Sequence, residues 1–247
     1  MIDTHAHILN EYYENIDELI KELKEKNVLY VLNASSNYEE AIEILDLSKK
    51  YNNFILPVIG IHPESVNESN KLNDLEKLII ENKIYAVGEI GLDYYWVKDN
   101  KEEQKELFIK QIKLAQKYNL PIVVHTRDAI QDTFDILKEY KVKGIIHAYS
   151  GSVEMAHEFI KYGYKLGIGG VLTFKNSKLF EVIKEIDLEN IVLETDSPYL
   201  TPEPFRGKQN NPFNVYYVAK KIAEIKNITV EEVIEKTTQN AISFFDI

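Results

Sequence analysis

Eight short apolar runs with β character recur along this chain, and most are followed by a longer stretch with helical periodicity. The runs are "MIDTHAHI", "VLYVLNA" from Val28, "ILPVIGI" around Leu56, "YAVGEIG" from Tyr85, "PIVVHTR" from Pro121, "GIIHAYS" from Gly144, "YKLGIGG" from Tyr164 and "IVLETDS" from Ile191. Between them, "NIDELIKELKEK" and "KEEQKELFIKQIKLAQKY" carry apolar residues at helical spacing above charged faces. Box-like helix starts fall at Asn37 with Glu40 and at Thr229 with Glu232. Strands alternating with helices predict a parallel sheet, and eight is the number that closes a barrel. An open doubly wound sheet would want a glycine-rich phosphate turn after an early strand. The nearest candidate, "GIGG" at Gly167–Gly170, comes late and lacks that spacing. No linker or low-complexity segment divides the chain. The predicted architecture is therefore α/β, a (β/α)8 TIM barrel forming a single domain over residues 1–247.

Composition removes several function classes. The chain has no cysteine, which excludes disulfides, thiolate ligands and cysteine nucleophiles. No apolar run approaches the roughly 20 residues needed to cross a bilayer, and the N-terminal stretch lacks a signal-peptide pattern. A cytoplasmic protein with no membrane partner and no obligate protein partner is the expectation. The formal net charge of −11 is the wrong sign for a broad electrostatic grip on nucleic acid. Attraction for an anionic substrate must come from something local.

Polar residues gather where such a barrel does its chemistry, at the C-terminal ends of the strands. Of six histidines, five lie at predicted strand ends: His5, His7, His62, His125 and His147. Glu89 and Asp93 occupy the fourth strand end in "GEIGLD", Arg127 follows the fifth, and Asp196 follows the eighth in "LETDSP". Residues two apart on a strand share a face, so Asp3, His5 and His7 point together. Neutral imidazoles and carboxylates are the ordinary ligands of Zn²⁺, Mn²⁺ and similar ions. His5, His7, His125 and His147 with Glu89 and Asp196 suffice for two divalent cations if one carboxylate bridges, and Glu89 is the natural bridge. Two dications against two carboxylates leave a local charge of about +2, which supplies the missing attraction for an anion.

Each residue also has a plainer reading. A His-x-His pair alone is weak evidence for a metal. Asp196 can cap a following helix or shape a turn. Glu89, set among Val87, Gly88, Ile90 and Gly91, would be costly to bury without a cation or strong donor. Asp93 is expected to orient its loop rather than bind metal, and His157 to lie exposed on a helix. Trp96, the single tryptophan, is either a packed loop anchor or a stacking platform for a base, and the anchor is favoured. Ser150 lacks the strained elbow of a nucleophile.

The blocks "DTHAH", "GIHP", "VGEIGLDYY", "PIVVHTRDA", "HAYSGS", "LETDSPYLTP" and "RGKQNNP" resemble, in order, the signature blocks of the TatD family of metal-dependent deoxyribonucleases. These are TIM-barrel hydrolases of the amidohydrolase type. The resemblance implies that His5, His7, Glu89 and Asp196 hold one ion and that Glu89, His125 and His147 hold the second. It places His62 and Arg206 toward the substrate. Gln209 and Asn211 stand where the family usually has Arg and Glu, which bears on substrate range, and Tyr149 replaces a common Phe. The implied activity is cleavage of DNA phosphodiesters, 3′-to-5′ exonuclease-like, on single-stranded DNA or DNA with a free 3′ end. The catalytic set is then Asp196, Glu89, His62 and Arg206. Asp196 would accept the proton of a hydroxide activated by Zn, Mn or Mg, while His62 and Arg206, with Arg127, would hold phosphate oxygens. Asp3 would orient the histidines. The alternatives are a hydrolase of a small phosphoester, amide or ester, and a non-catalytic metal-binding protein with a quality-control role.

Overall fold

Branched aliphatic residues and leucine dominate "ILPVI", "GII" and "IVL", the composition of strands covered on both faces. The computed structural model describes residues 1–96 and 99–247. Its strands are β1 (Ile2–Ala6), β2 (Tyr30–Ala34), β3 (Ile55–Ile59), β4 (Ala86–Asp93), β5 (Ile122–Arg127), β6 (Gly144–Ile146), β7 (Lys165–Ile168) and β8 (Ile191–Leu193). The helices are α1 (Ile16–Glu25), α2 (Tyr38–Lys50), α3 (Leu72–Glu81), α4 (Lys101–Lys117), α5 (Ile130–Leu137), α6 (Val153–Lys161), α7 (Leu179–Glu185), α8 (Val215–Lys226) and α9 (Val230–Phe245). Strand order in the sheet is sequence order, the topology of the (β/α)8 class expected from the alternation. Among the described residues no helix is long and apolar enough to cross a membrane.

Local sequence explains the helix starts. Thr229 accepts the N–H of Glu232 at 3.2 Å while Glu232 accepts the N–H of Thr229 at 2.8 Å, a complete capping box. Asn37 accepts the N–H of Glu40 at 2.9 Å, but the Glu40 carboxylate returns to the N–H of Ser36 at 2.7 Å, one residue earlier than a regular box.

The chain groups into two compact units, residues 1–33 with 148–247, and residues 34–147. In the first unit β1 runs parallel to β2 and β7 parallel to β8. The segment after β8 pairs with the end of β1: the N–H of Asp196 donates to the His5 carbonyl at 2.9 Å, and that of His7 to the Ser197 carbonyl at 2.7 Å. These bonds set Asp196 beside the two histidines. Asn240 of α9 donates its amide to the carbonyls of Leu188 and Ile191, at 2.7 and 2.8 Å, and so fixes the start of β8.

In the second unit β3, β4, β5 and β6 are consecutive parallel neighbours. The β4–β5 register sets Gly91 beside His125 and Asp93 beside Arg127. Gly91 has φ 146°, and a Cβ there would stand 2.0 Å from the His125 carbonyl oxygen, so this position requires glycine. Two buried glutamines of α4 clamp the strand ends. Gln104 exchanges both backbone hydrogen bonds with Asp93 at 2.9 Å, and Gln111 does the same with Ile61 at 2.8 and 2.9 Å. Each glutamine satisfies a buried backbone N–H and C=O, a requirement of buried backbone.

Candidate metal centre

In the first unit, β1 carries His5 and delivers His7 one residue beyond its end, while the turn after β8 delivers Asp196. The Nε2 atoms of His5 and His7 are 3.2 Å apart, and the Asp196 Oδ1 atom is 3.7 Å from the first and 3.4 Å from the second. The point equidistant from three atoms so spaced lies about 2.0 Å from each, the length of a Zn–N or Zn–O bond. Both histidines are buried and Asp196 is half-buried. The donor chemistry and the spacing both fit a divalent ion. No helix follows Asp196 closely enough to be capped by it, since the next helix is α8. Its carbonyl accepts the N–H of Tyr199 at 2.8 Å, so the turn role and the inward carboxylate coexist.

Asp3 acts on the histidines through their backbone. Its carboxylate accepts the backbone N–H of His5 at 3.2 Å and of Thr195 at 3.0 Å, together with the Thr195 hydroxyl, and does not bond either imidazole ring in the described contacts. The register irregularity between Asp3 and Ala6 accompanies this arrangement. Asp3 thus fixes the backbone that carries the histidines and the backbone that leads to Asp196. Burial pushes its carboxyl well above the ordinary carboxylate range, against those hydrogen bonds.

In the second unit the centre of the arrangement is Glu89, 3% exposed on β4. Its Oε1 atom lies 2.8 Å from His125 Nδ1, 3.6 Å from His147 Nε2 and 3.7 Å from His62 Nε2. A single carboxylate oxygen facing three imidazoles is a donor set that could hold a cation. His125 also places Nε2 2.9 Å from Asp93 Oδ2. Burial works to lower the pKa of His125, but its hydrogen bonds to Asp93 and Glu89 outweigh that and raise the pKa to about 9. Without an ion this ring is therefore an imidazolium between two carboxylates. Once neutral, it can offer one nitrogen to an ion and donate from the other to Asp93, the common support of a metal-bound histidine.

His62 has a different part. Its Nδ1 atom accepts the N–H of Glu64 at 3.2 Å, which in the neutral ring leaves the proton on Nε2. That nitrogen is then a donor, suited to a substrate oxygen. Arg206 is exposed, with its guanidinium carbon 3.8 Å from the centre of the Phe174 ring. Gln209 donates to the Tyr12 carbonyl at 2.6 Å and Asn211 caps the short turn Pro212–Asn214, so both depart from the family pattern into structural roles.

His157 is exposed on α6, as expected, and Ser150 is exposed after β6. Trp96 is not a packed anchor. It is 63% exposed, because the loop is held by Asp93 instead, whose Oδ1 atom accepts the N–H of Tyr95 at 2.9 Å and of Trp96 at 3.4 Å. Asp93 therefore orients its loop as predicted, and it also holds His125. Glu194 escaped the sequence reading. It is 1% exposed and accepts the N–H of Ala148 at 2.6 Å, where Ala148 has φ 43°. Its signal was an acid next to the apolar "IVL" run, obscured by Asp196 two residues on.

Histidines and carboxylates on the C-terminal side of parallel strands in a (β/α)8 topology define a metal-dependent hydrolase. The comparisons give the family. The model described as "TatD related DNase" matches residues 2–246, and the chain belongs to the TatD family. It is 42% identical over 254 residues to an uncharacterized metal-dependent hydrolase, YabD of Bacillus subtilis, covering 100% of this chain and 99% of that one. It is 36% identical over 261 residues to the deoxyribonuclease TATDN3 of Homo sapiens, covering 99% and 94%. The crystal structure of YJJV, a TatD homolog from Escherichia coli, superposes with a TM-score of 0.93 at 28% identity, covering 100% and 98%.

Proposed function

We propose that this TatD-type hydrolase is a deoxyribonuclease that removes nucleotides from the 3′ end of single-stranded DNA, using two divalent ions. The observation that carries the reading is the triangle of His5, His7 and Asp196, whose donor atoms lie 3.2, 3.7 and 3.4 Å apart. The Glu89 carboxylate facing His125 and His147 supports a second ion. The family resemblance assigns His5, His7, Glu89 and Asp196 to one ion and Glu89, His125 and His147 to the other. The DNA substrate rests on the name of the human relative and on the positive charge that two dications would bring to an acidic chain.

When bound, such ions polarise a phosphoryl oxygen and lower the pKa of water toward about 7. The remaining chemistry belongs to the protein. In hydrolysis an O–P bond forms from water, the P–O3′ bond breaks, and one proton moves from the water to the leaving oxygen. Asp196 takes that proton, its carboxylate being aimed by the backbone bond to His5. His62 donates from Nε2 to a non-bridging phosphate oxygen, and Arg206 offers its fork to another. Asp93 keeps His125 in register through Nε2.

The test is digestion of 5′-labelled single-stranded DNA by protein stripped with chelator and reloaded with Mn²⁺, Mg²⁺ or Zn²⁺. A ladder shortening from the 3′ end is expected, absent in chelator and absent with Glu89→Ala. Undiminished cleavage by the metal-free or Glu89→Ala protein would overturn the reading. Cleavage only of small phosphoesters, amides or esters in a parallel panel would replace DNA as the substrate.

A further inference from the structure

The chain contains 29 Lys and Arg residues, of which only Arg127 and Arg206 are arginines. Both guanidinium groups lie on aromatic rings. Arg206 is on Phe174, and the Arg127 guanidinium carbon is 4.0 Å from the centre of the Tyr95 ring and 5.3 Å from that of Trp96. Arg differs from Lys in stacking on π faces while keeping a planar fork free for phosphate. Its restriction to two such sites points to recognition rather than surface charge.

The Arg127 cluster is built with care. Tyr95 and Trp96 pack edge to face with ring centres 4.7 Å apart, yet they remain 48% and 63% exposed. Leaving two large aromatic rings in water forgoes the burial that normally stabilises them. Their backbone is nonetheless fixed. Asp93 accepts the N–H of both residues, and the N–H of the preceding Tyr94 donates to the Arg127 carbonyl at 2.9 Å. The Tyr94 hydroxyl is tied to Asp132 at 2.9 Å. The oxygen of Asp93 not used on Tyr95 and Trp96 contacts His125, so one side chain positions both the rings and a candidate metal ligand. Glu64 feels Arg127, Asp93 and His125, and adds negative charge to the same neighbourhood. These carboxylates offset part of the Arg127 charge, and the exposed rings offer a stacking contact that does not depend on net charge.

We infer that Tyr95, Trp96 and Arg127 form a subsite for single-stranded nucleic acid, in which a nucleobase stacks on the exposed rings and the guanidinium holds the adjoining phosphate. This rests on the deoxyribonuclease reading and names where that substrate is gripped. Stacking is sequence-tolerant because every base has a π face, which suits a nuclease that must accept any base. The area is two rings and one cation, a nucleotide's footprint rather than a protein interface.

Trp96 is the single tryptophan, so its emission reports on this subsite alone. Metal-loaded protein is titrated with a phosphorothioate dT octamer and with an abasic octamer of the same length. Saturable quenching by the dT octamer and little by the abasic one is expected. In parallel, the ratio of kcat/KM for cleavable dT and abasic octamers is measured in Tyr95→Ala, Trp96→Ala and Trp96→Phe. Alanine at either position should lower that ratio about tenfold or more, the range of base–aromatic stacking, through KM. Trp96→Phe should restore much of it, which a merely structural loop residue would not do. If the wild-type protein cleaves DNA but its emission does not respond and the Trp96→Ala ratio is unchanged, the subsite is wrong and the nuclease reading stands. If the wild-type protein cleaves neither octamer, the nuclease reading fails and the subsite with it.

Discussion

The carboxylate of Asp93 lies 2.9 Å from Nε2 of His125 while His125 Nδ1 lies 2.8 Å from Glu89. One histidine thus spans the acid proposed to bind metal and the acid that shapes the neighbouring loop. Asp93→Asn keeps the side-chain shape but removes the charge and one acceptor. Loss of such a supporting carboxylate typically weakens metal binding by about 10- to 100-fold. Competition of the protein with a chelating dye for Zn²⁺ should show that loss, with a far-UV circular dichroism spectrum like that of the wild type.

The same two contacts set a pH dependence in the metal-free protein. The folded pKa of His125 is about 9, raised above the unfolded value of about 6.5. Its contribution to stability is therefore fully present below pH 6.5 and is lost as pH rises through about 9. Chelator-treated protein should have a lower Tm at pH 9.5 than at pH 7. His125→Gln should show a clearly smaller drop over that interval. An equal drop in both proteins would remove His125 as its source.

Gly91 stands against the backbone of His125, where an added Cβ would meet the carbonyl oxygen at 2.0 Å. Gly91→Ala must push β4 and β5 apart or strain a backbone at φ 146°. A loss of stability of about 2–4 kcal/mol is expected, in the range of severe single substitutions. Urea denaturation measures it.

Arg206, stacked on Phe174, is proposed to hold a phosphate oxygen. Arg206→Ala removes a charged hydrogen bond of about 1.5–3 kcal/mol, or about 10- to 100-fold in kcat/KM on DNA. Thermal stability should change little because the side chain is exposed. Arg206→Lys should recover only part of the loss, since a point charge does not reproduce a bidentate fork. Steady-state kinetics on one oligonucleotide distinguish the three proteins.

The strands and the histidines were readable because both leave periodic or positional traces. Apolar runs mark β3, β5, β6 and β8, and His5, His7, Glu89, His125, His147 and Asp196 interrupt or follow such runs at strand ends. Contacts made through the backbone leave no such trace. Asp3 shares a strand face with His5 and His7 by simple alternation, yet the irregular register turns its carboxylate toward backbone N–H groups. Gln104 and Gln111 sit within a helix of ordinary amphipathic pattern, and only the fold reveals that they clamp Asp93 and Ile61. Trp96 looked like an anchor because a single tryptophan in an apolar neighbourhood normally buries, whereas Asp93 does the anchoring and leaves the ring exposed. Glu194 was hidden because the hydrogen bond that explains it comes from Ala148, 46 residues away in sequence.

Calorimetric titration of chelator-stripped protein with Mn²⁺, alongside His5→Ala, tests the central claim most directly. The two-ion account predicts two equivalents bound by the wild-type protein and one by a folded His5→Ala. One equivalent or none in the wild-type protein would contradict it.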